Sequence, residues 1–240
     1  MLPSGSAYRI AAVAGHQTVL LRRAPGPLLT YTVMPILLTI LITPVYARLD
    51  PGRPAAPGMV VMSALFMTGV IGDSLLLERT WLTWDRLRTT PARPVELVAG
   101  KVLPLLGVLL VQQAVVFGFA ALGYGLGLGW RVAVVGLAWA VCVCGCGTAL
   151  AAVVRNHGQL STVKDIGTLA LAGLGGALIP SALLPSWAAA VAPLSPGYWA
   201  MRGYGTALAG RLPLLSTALL LGIGAAGVVV ATVRTATLER

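Results

Sequence analysis

From Val102 to Val154 a single charged residue, Arg131, interrupts an otherwise uncharged and largely apolar stretch. Such a stretch cannot supply the polar cover that a water-facing surface needs. Arg131 divides it into runs near 102–129 and 131–154, and further apolar runs lie near 28–47, 57–77, 166–185 and 212–233. Each run is about as long as the roughly 20 helical residues that cross a hydrocarbon layer of about 30 Å. The expected fold is therefore an all-α integral membrane protein with six transmembrane helices. Only 10% of the residues are charged against 57% hydrophobic, and the mean hydropathy is +0.86. These values exclude an ordinary soluble domain.

The formal charge of +10 does not point to nucleic acid, because the basic residues lie scattered between apolar runs and form no patch with aromatics. Their placement is informative instead. Arg9, Arg22, Arg23, Arg79, Arg86, Arg88, Arg93, Lys101, Arg155, Lys164, Arg234 and Arg240 fall in one alternate set of connections; Arg48, Arg53, Arg131, Arg202 and Arg211 fall in the other. Basic residues resist translocation, so the richer set, with both termini, is expected on the cytoplasmic side. The arginine-heavy, alanine- and glycine-rich composition suggests a bacterial cytoplasmic membrane. Val45-Tyr46-Ala47 loosely resembles a signal-peptidase site, but the preceding run starts too late for a signal peptide.

Before the first run, Arg9, His16 and Arg23 recur every seven residues, and Ile10, Val13 and Leu20 form a second stripe. This spacing predicts an amphipathic helix on the inner membrane surface, or else a plain basic flank. Between the second and third runs, Trp81, Trp84 and Arg88 stand at i, i+3 and i+7, while Asp85 and Arg86 occupy other faces. They predict a short amphipathic helix, ended by Pro91, with Pro94 in the first turn of the next one. The connection is longer than two adjacent spans require. Either it offers a surface to another protein, or its tryptophans sit in the interfacial belt and its arginines bind lipid phosphate.

Asp73 is the carboxylate that falls clearly inside a predicted span, near its inner end, where snorkelling or pairing with an arginine is expected. Cys142, Cys144 and Cys146 alternate along one span with no histidine nearby, so no metal site is expected. The glycine clusters at 123–129, 173–176 and 222–227 suit close helix packing, the first also a bend where the third span leaves the membrane. Pro180, Pro185, Pro193 and Pro196, with Trp187, Tyr198 and Trp199, predict broken helices that re-enter the outer leaflet. Pro180, Pro185 and Trp187 are then candidates for an outer gate, unless the segment is a plain outer loop. Met34, Pro35, Thr39, Phe66, Met67 and Thr68 are candidate cavity-lining residues.

The stretch from Glu78 through "RTWLTWDRLRTTPARPVELVAGKVLP" resembles the signature of type-2 ATP-binding-cassette (ABC) transporter membrane subunits, especially drug-resistance and daunorubicin-exporter-like permeases. Glu78, Thr80, Trp81, Leu87, Arg88, Pro91, Glu96, Leu97, Gly100 and Lys101 carry the pattern, with Arg79 and a Gly-rich third span as departures. Residues 184–204 resemble the proline-rich outer connection of the same family. The resemblance implies one transmembrane domain over 1–240. Its parts are an amphipathic helix (1–27), spans 1 and 2 (28–77), a cytoplasmic coupling region (78–101), spans 3 and 4 (102–154), an inner loop (155–165), span 5 with a re-entrant outer segment (166–211), and span 6 with a tail (212–240).

It further implies a homodimer, or a heterodimer with a similar permease, that docks two ATPase subunits through Glu78, Trp81, Trp84, Arg86 and Arg88. Glu78 would lie near Arg22 and Arg23 at the inner mouth. The cargo would be an amphipathic drug, antibiotic or lipid-like compound. No G-x-x-x-x-G-K-[ST] loop occurs, so ATP and Mg would be bound by the partner chain and none is expected here; no catalytic residue is expected either. The competing reading, an ion-coupled secondary transporter, calls for paired repeats and a carboxylate at mid-membrane, and neither is evident.

Overall fold

Backbone polar groups in hydrocarbon must be satisfied within their own segment, which leaves helices as the natural form for the apolar runs. The computed structural model describes residues 5–23, 26–49, 52, 54–80, 94–180 and 183–237, and no strand occurs among them. In chain order the helices are α1 (Ser6–Arg23), α2 (Gly26–Leu49), α3 (Ala56–Thr80), α4 (Pro94–Tyr124), α5 (Trp130–Val153), α6 (His157–Leu174), α7 (Ser186–Val191), α8 (Pro196–Leu208) and α9 (Leu214–Thr237), with a 3₁₀ turn at Ala192–Leu194. Among the described residues five helices are long and apolar enough to cross a membrane, over Leu29–Arg48, Ala56–Leu76, Val95–Tyr124, Trp130–Val153 and Leu214–Arg234.

The run expected as a fifth span, 166–185, is divided differently. Helix α6 begins at His157, inside what the sequence suggests is an inner loop, and stops at Leu174. Asn156 starts it: its side chain accepts from the Gln159 amide at 2.8 Å, while Gln159 Oε1 accepts from the Arg155 amide at 3.0 Å. The arrangement is close to a capping box, with the return bond reaching the residue before the cap. Lys164 and Asp165 keep α6 below the apolarity of the other five. The third run also ends early, because Gly125 takes the left-handed φ of 66° and closes α4 after Tyr124.

Helices α3 and α5 form the centre. Met59, Met67 and Ile71 on α3 and Trp139 on α5 are fully buried, and α3 packs on α2, α4, α5, α6 and α8. The closest seam joins α5 to α9. A Cβ added to Gly145 would lie 2.6 Å from Gly224 Cα, and one on Gly224 would lie 2.9 Å from Val141 O. Small residues here let the two backbones touch.

Polar side chains tie helices together by donating to main-chain carbonyls. Pro35 has no N–H, so the Tyr31 carbonyl loses its helical donor; Gln112 Nε2 of α4 donates to it at 2.5 Å. Next to it, Gln113 Nε2 donates to Gly136 O at 3.3 Å, and Gln113 Oε1 accepts from the Tyr204 hydroxyl at 2.6 Å. Tyr46 donates to the Ala177 and Leu178 carbonyls, and Ser195 to Leu171 O. Tyr204→Phe removes the donor to a buried amide oxygen and is expected to cost about 1 kcal/mol. A lower thermal midpoint of the purified chain in detergent, with unchanged yield, would register it.

Candidate functional site

Helix α3 stops at Thr80 and α4 starts at Pro94, so their ends flank residues 81–93. Trp81, Trp84, Arg86 and Arg88 lie outside the described residues, as does the side chain of Glu78, whose backbone closes α3. What is described is the neck on which this segment stands. Lys101, only 7% exposed, reaches from α4 to α3 and donates from Nζ to Ser74 O at 2.6 Å. Buried amines of this kind need such a partner, and the bond fixes the spacing of the two helices.

Helix α1 braces the same neck. A Cβ on Gly100 would sit 2.6 Å from Val13 Cβ and 3.0 Å from Ile10 O, so glycine permits α1 to lie directly on α4. Arg9 Nε stands 3.3 Å from Glu96 Oε2, with Glu96 buried. The apolar stripe expected on α1 holds at Ile10 and Val13 but turns to Leu21, which packs on the core, while Leu20 is exposed. Gln17 is buried on this face as well. Arg22 and Arg23 are exposed in the last turn of α1.

Asp73 finds a histidine where the sequence suggests an arginine. Its Oδ1 lies 2.8 Å from His157 Nδ1, and both side chains are about half exposed. The contact is a hydrogen bond with a neutral ring and an ion pair with a protonated one. It joins the C-terminal part of α3 to the first turn of α6.

The candidate cavity residues do not share one surface. Thr39 is buried and donates to Pro35 O at 2.7 Å, and Met67 is wholly buried. Phe66 stacks on Tyr31 between α2 and α3, with centroids 6.4 Å apart, while Met34 points outward. Of that group Thr68 alone borders an internal cleft of about 190 Å³ between α3, α5, α6 and the start of α8. Of the candidate gate residues, Pro180 is buried, Pro185 precedes α7 and Trp187 is largely exposed. No metal-binding group of histidine, cysteine and carboxylate occurs among the described residues, and Cys142 and Cys144 are buried free thiols.

Sequence reasoning overlooked Gln112 and Gln113. Their signal was available, since paired amides inside an uncharged run are costly unless they bridge helices.

These features define a multi-pass, all-helical membrane protein, one end of which is built as a braced neck. The family model of the ABC-2 type transporter matches residues 8–208, most of the chain, and the chain belongs to that family. Members are the transmembrane component of ABC transporters, distinct from the ATPase, and generally work with ABC ATPase partners. No curated protein and no solved structure matched.

Proposed function

We propose that the chain is the permease subunit of an ATP-driven exporter, working as a dimer with two separate ATPase subunits. The observation that carries this is the braced neck: Lys101–Ser74 and Arg9–Glu96 hold α1, α3 and α4 together on both sides of the segment with the family's docking signature. Trp81, Trp84 and Arg88 would anchor in a cleft of the ATPase, with Glu78 and Arg86 beside them. Closure of the ATPase pair then reaches α3 and α4 as a largely rigid-body displacement.

The membrane arrangement proposed has six crossings, with α6 as the fifth and both termini cytoplasmic. Contacts along α3 support it: Leu160 lies against Gly72, Lys164 against Gly69 and Ala177 against Gly58. From Gly72 to Gly58 this is about 21 Å of helical rise along α3. Helix α1 would lie at the inner surface, and α7 and α8 would be the re-entrant outer elements, with Pro180, Pro185 and Trp187 at an outer gate. The cargo is proposed to be an amphipathic drug-like or lipid-like compound taken from the inner leaflet of a bacterial cytoplasmic membrane. Met34, Thr39, Phe66 and Met67 would adjust its path through their helices.

Co-purification of the tagged chain with the ATPase encoded beside it tests the docking. A Trp81→Ala, Trp84→Ala, Arg88→Glu triple variant is expected to insert normally yet lose the ATPase at least tenfold, as hot-spot anchors do. Equal recovery from wild type and variant would overturn this assignment of the segment.

A further inference from the structure

The three thiols of α5 take no part in the neck or in the ties between helices, and they are not equivalent. On α5 the cleft is bordered by Trp139, Cys142, Val143, Cys146 and Leu150. These recur at i, i+3, i+4, i+7 and i+11 and so define one helix face. Cys142 and Cys146 both belong to that face, one turn apart, whereas Cys144 does not border the cleft. A cysteine ends one atom beyond its Cβ, so its place on the helix largely fixes where the sulfur lies. The two side chains interact with each other; Cys146 is partly exposed and Cys142 is buried.

We propose that Cys142 and Cys146 form a dithiol site for a trivalent arsenical with one apolar substituent, its arsenic held by both sulfurs and the substituent seated in the cleft. The donor set selects this class. No group of three or more metal-ligating side chains occurs among the described residues, so a closed zinc site, which takes four ligands, is not built. Sulfur donors select soft centres. A monosubstituted arsenic(III) oxide asks for two thiols and nothing more. Two As–S bonds form, the bonds from arsenic to oxygen break, both thiol protons leave with that oxygen as water, and no oxidation state changes.

Spacing, polarity and size agree with this. Side chains four apart on a helix have Cβ atoms about 5–6 Å apart, a gap that one arsenic atom between two sulfurs spans. The product is neutral, so no charge is left beside Leu65, Val143 and Leu171. An apolar cavity of about 150 Å³ takes up benzene, so a cleft of about 190 Å³ holds a phenyl substituent. Arsenic meets the partly exposed Cys146 first. Cys142, one turn away, then closes the ring in an intramolecular step, where effective concentrations are high. The closed ring staples one turn of α5 and plugs the cleft. The assignment rests on where the thiols stand, and it holds whether or not an ATPase docks.

Phenylarsine oxide, added to the purified chain in phosphatidylcholine nanodiscs kept reduced with a phosphine, tests the site by intact-mass spectrometry. One phenylarsenic group per chain is expected, retained through a wash in excess 2-mercaptoethanol and released by 2,3-dimercaptopropanol. Cys142→Ser and Cys146→Ser should each weaken retention about a hundredfold, the worth of a second linked contact, while Cys144→Ser leaves it unchanged. The corresponding Ala variants serve should a Ser variant fail to elute as a folded species. Gly167 borders the cleft and a Cβ there would meet nothing within 4 Å, so Gly167→Leu fills the space the phenyl ring needs and should block the adduct. An adduct that the monothiol strips, that follows Cys144, or that Gly167→Leu leaves intact would overturn the proposal.

Discussion

Gly145→Leu is expected to leave little folded protein in the membrane. The site offers no relief: any Cβ at 145 would meet the backbone of Gly224, and a Cβ on Gly227 would likewise meet Gly145. Side chains can rotate away from an intruder, but main chain cannot, so α9 would have to leave α5 along its whole seam. Overpacking of ordinary cores costs about 1–3 kcal/mol and occasionally more; here the upper end or beyond is expected. Gly222, on the same helix, is exposed and open on its Cβ side. Gly222→Leu is therefore expected to change stability by less than about 0.5 kcal/mol. Detergent-extracted yield and a monodisperse elution profile of the two variants, side by side, measure the difference. Similar behaviour of both would mean that the α5–α9 seam is not what holds the outer helix.

Lys101→Met is the second large expectation, and its signature is a separation of folding from coupling. Methionine keeps the length of the stem and loses the amine, so the bond to Ser74 O disappears. The loss of a charge-assisted bond is partly offset by relief from burying a cation, which leaves a stability cost of about 1–2 kcal/mol. The ATPase should still co-purify, since residues 81–93 are untouched. ATP-driven transport, however, is expected to fall about tenfold, because α3 and α4 would no longer move as one body under the neck. Transport at the wild-type rate with Met at 101 would remove this bond from the coupling route.

Much of the architecture was legible because uncharged runs leave few alternatives in a bilayer. Arg131 marks the start of α5 within one residue, and Pro94 opens α4 as its missing N–H suggests. Helix α6 was harder. Lys164 and Asp165 read as loop, although Asn156 and Gln159 stood at capping spacing, and only packing against α3 makes a helix with those charges sensible. Asp73 could be recognised as needing a partner but not matched to His157, since the pairing depends on where α6 begins. The glycines at 224 and 227 announced close packing without naming Gly145 as the opposite surface. The unpaired indole of Trp139 lay beyond any pattern in the chain, because an unmade bond is defined by what surrounds it.

The helix ties at Lys101, Gln112, Gln113, Tyr46 and Ser195 all end on a main-chain oxygen. Every residue type carries that oxygen, so a position such as 74 can drift without breaking the contact it receives, whereas Gly136 cannot, because a Cβ there would lie 2.9 Å from Gln113 Oε1. A mutational scan should therefore find such a tie one-sided: Lys101 sensitive, Ser74 indifferent. Among homologues the donors should stay fixed while an acceptor such as residue 74 varies, and statistical covariation should be blind to a bond of that kind.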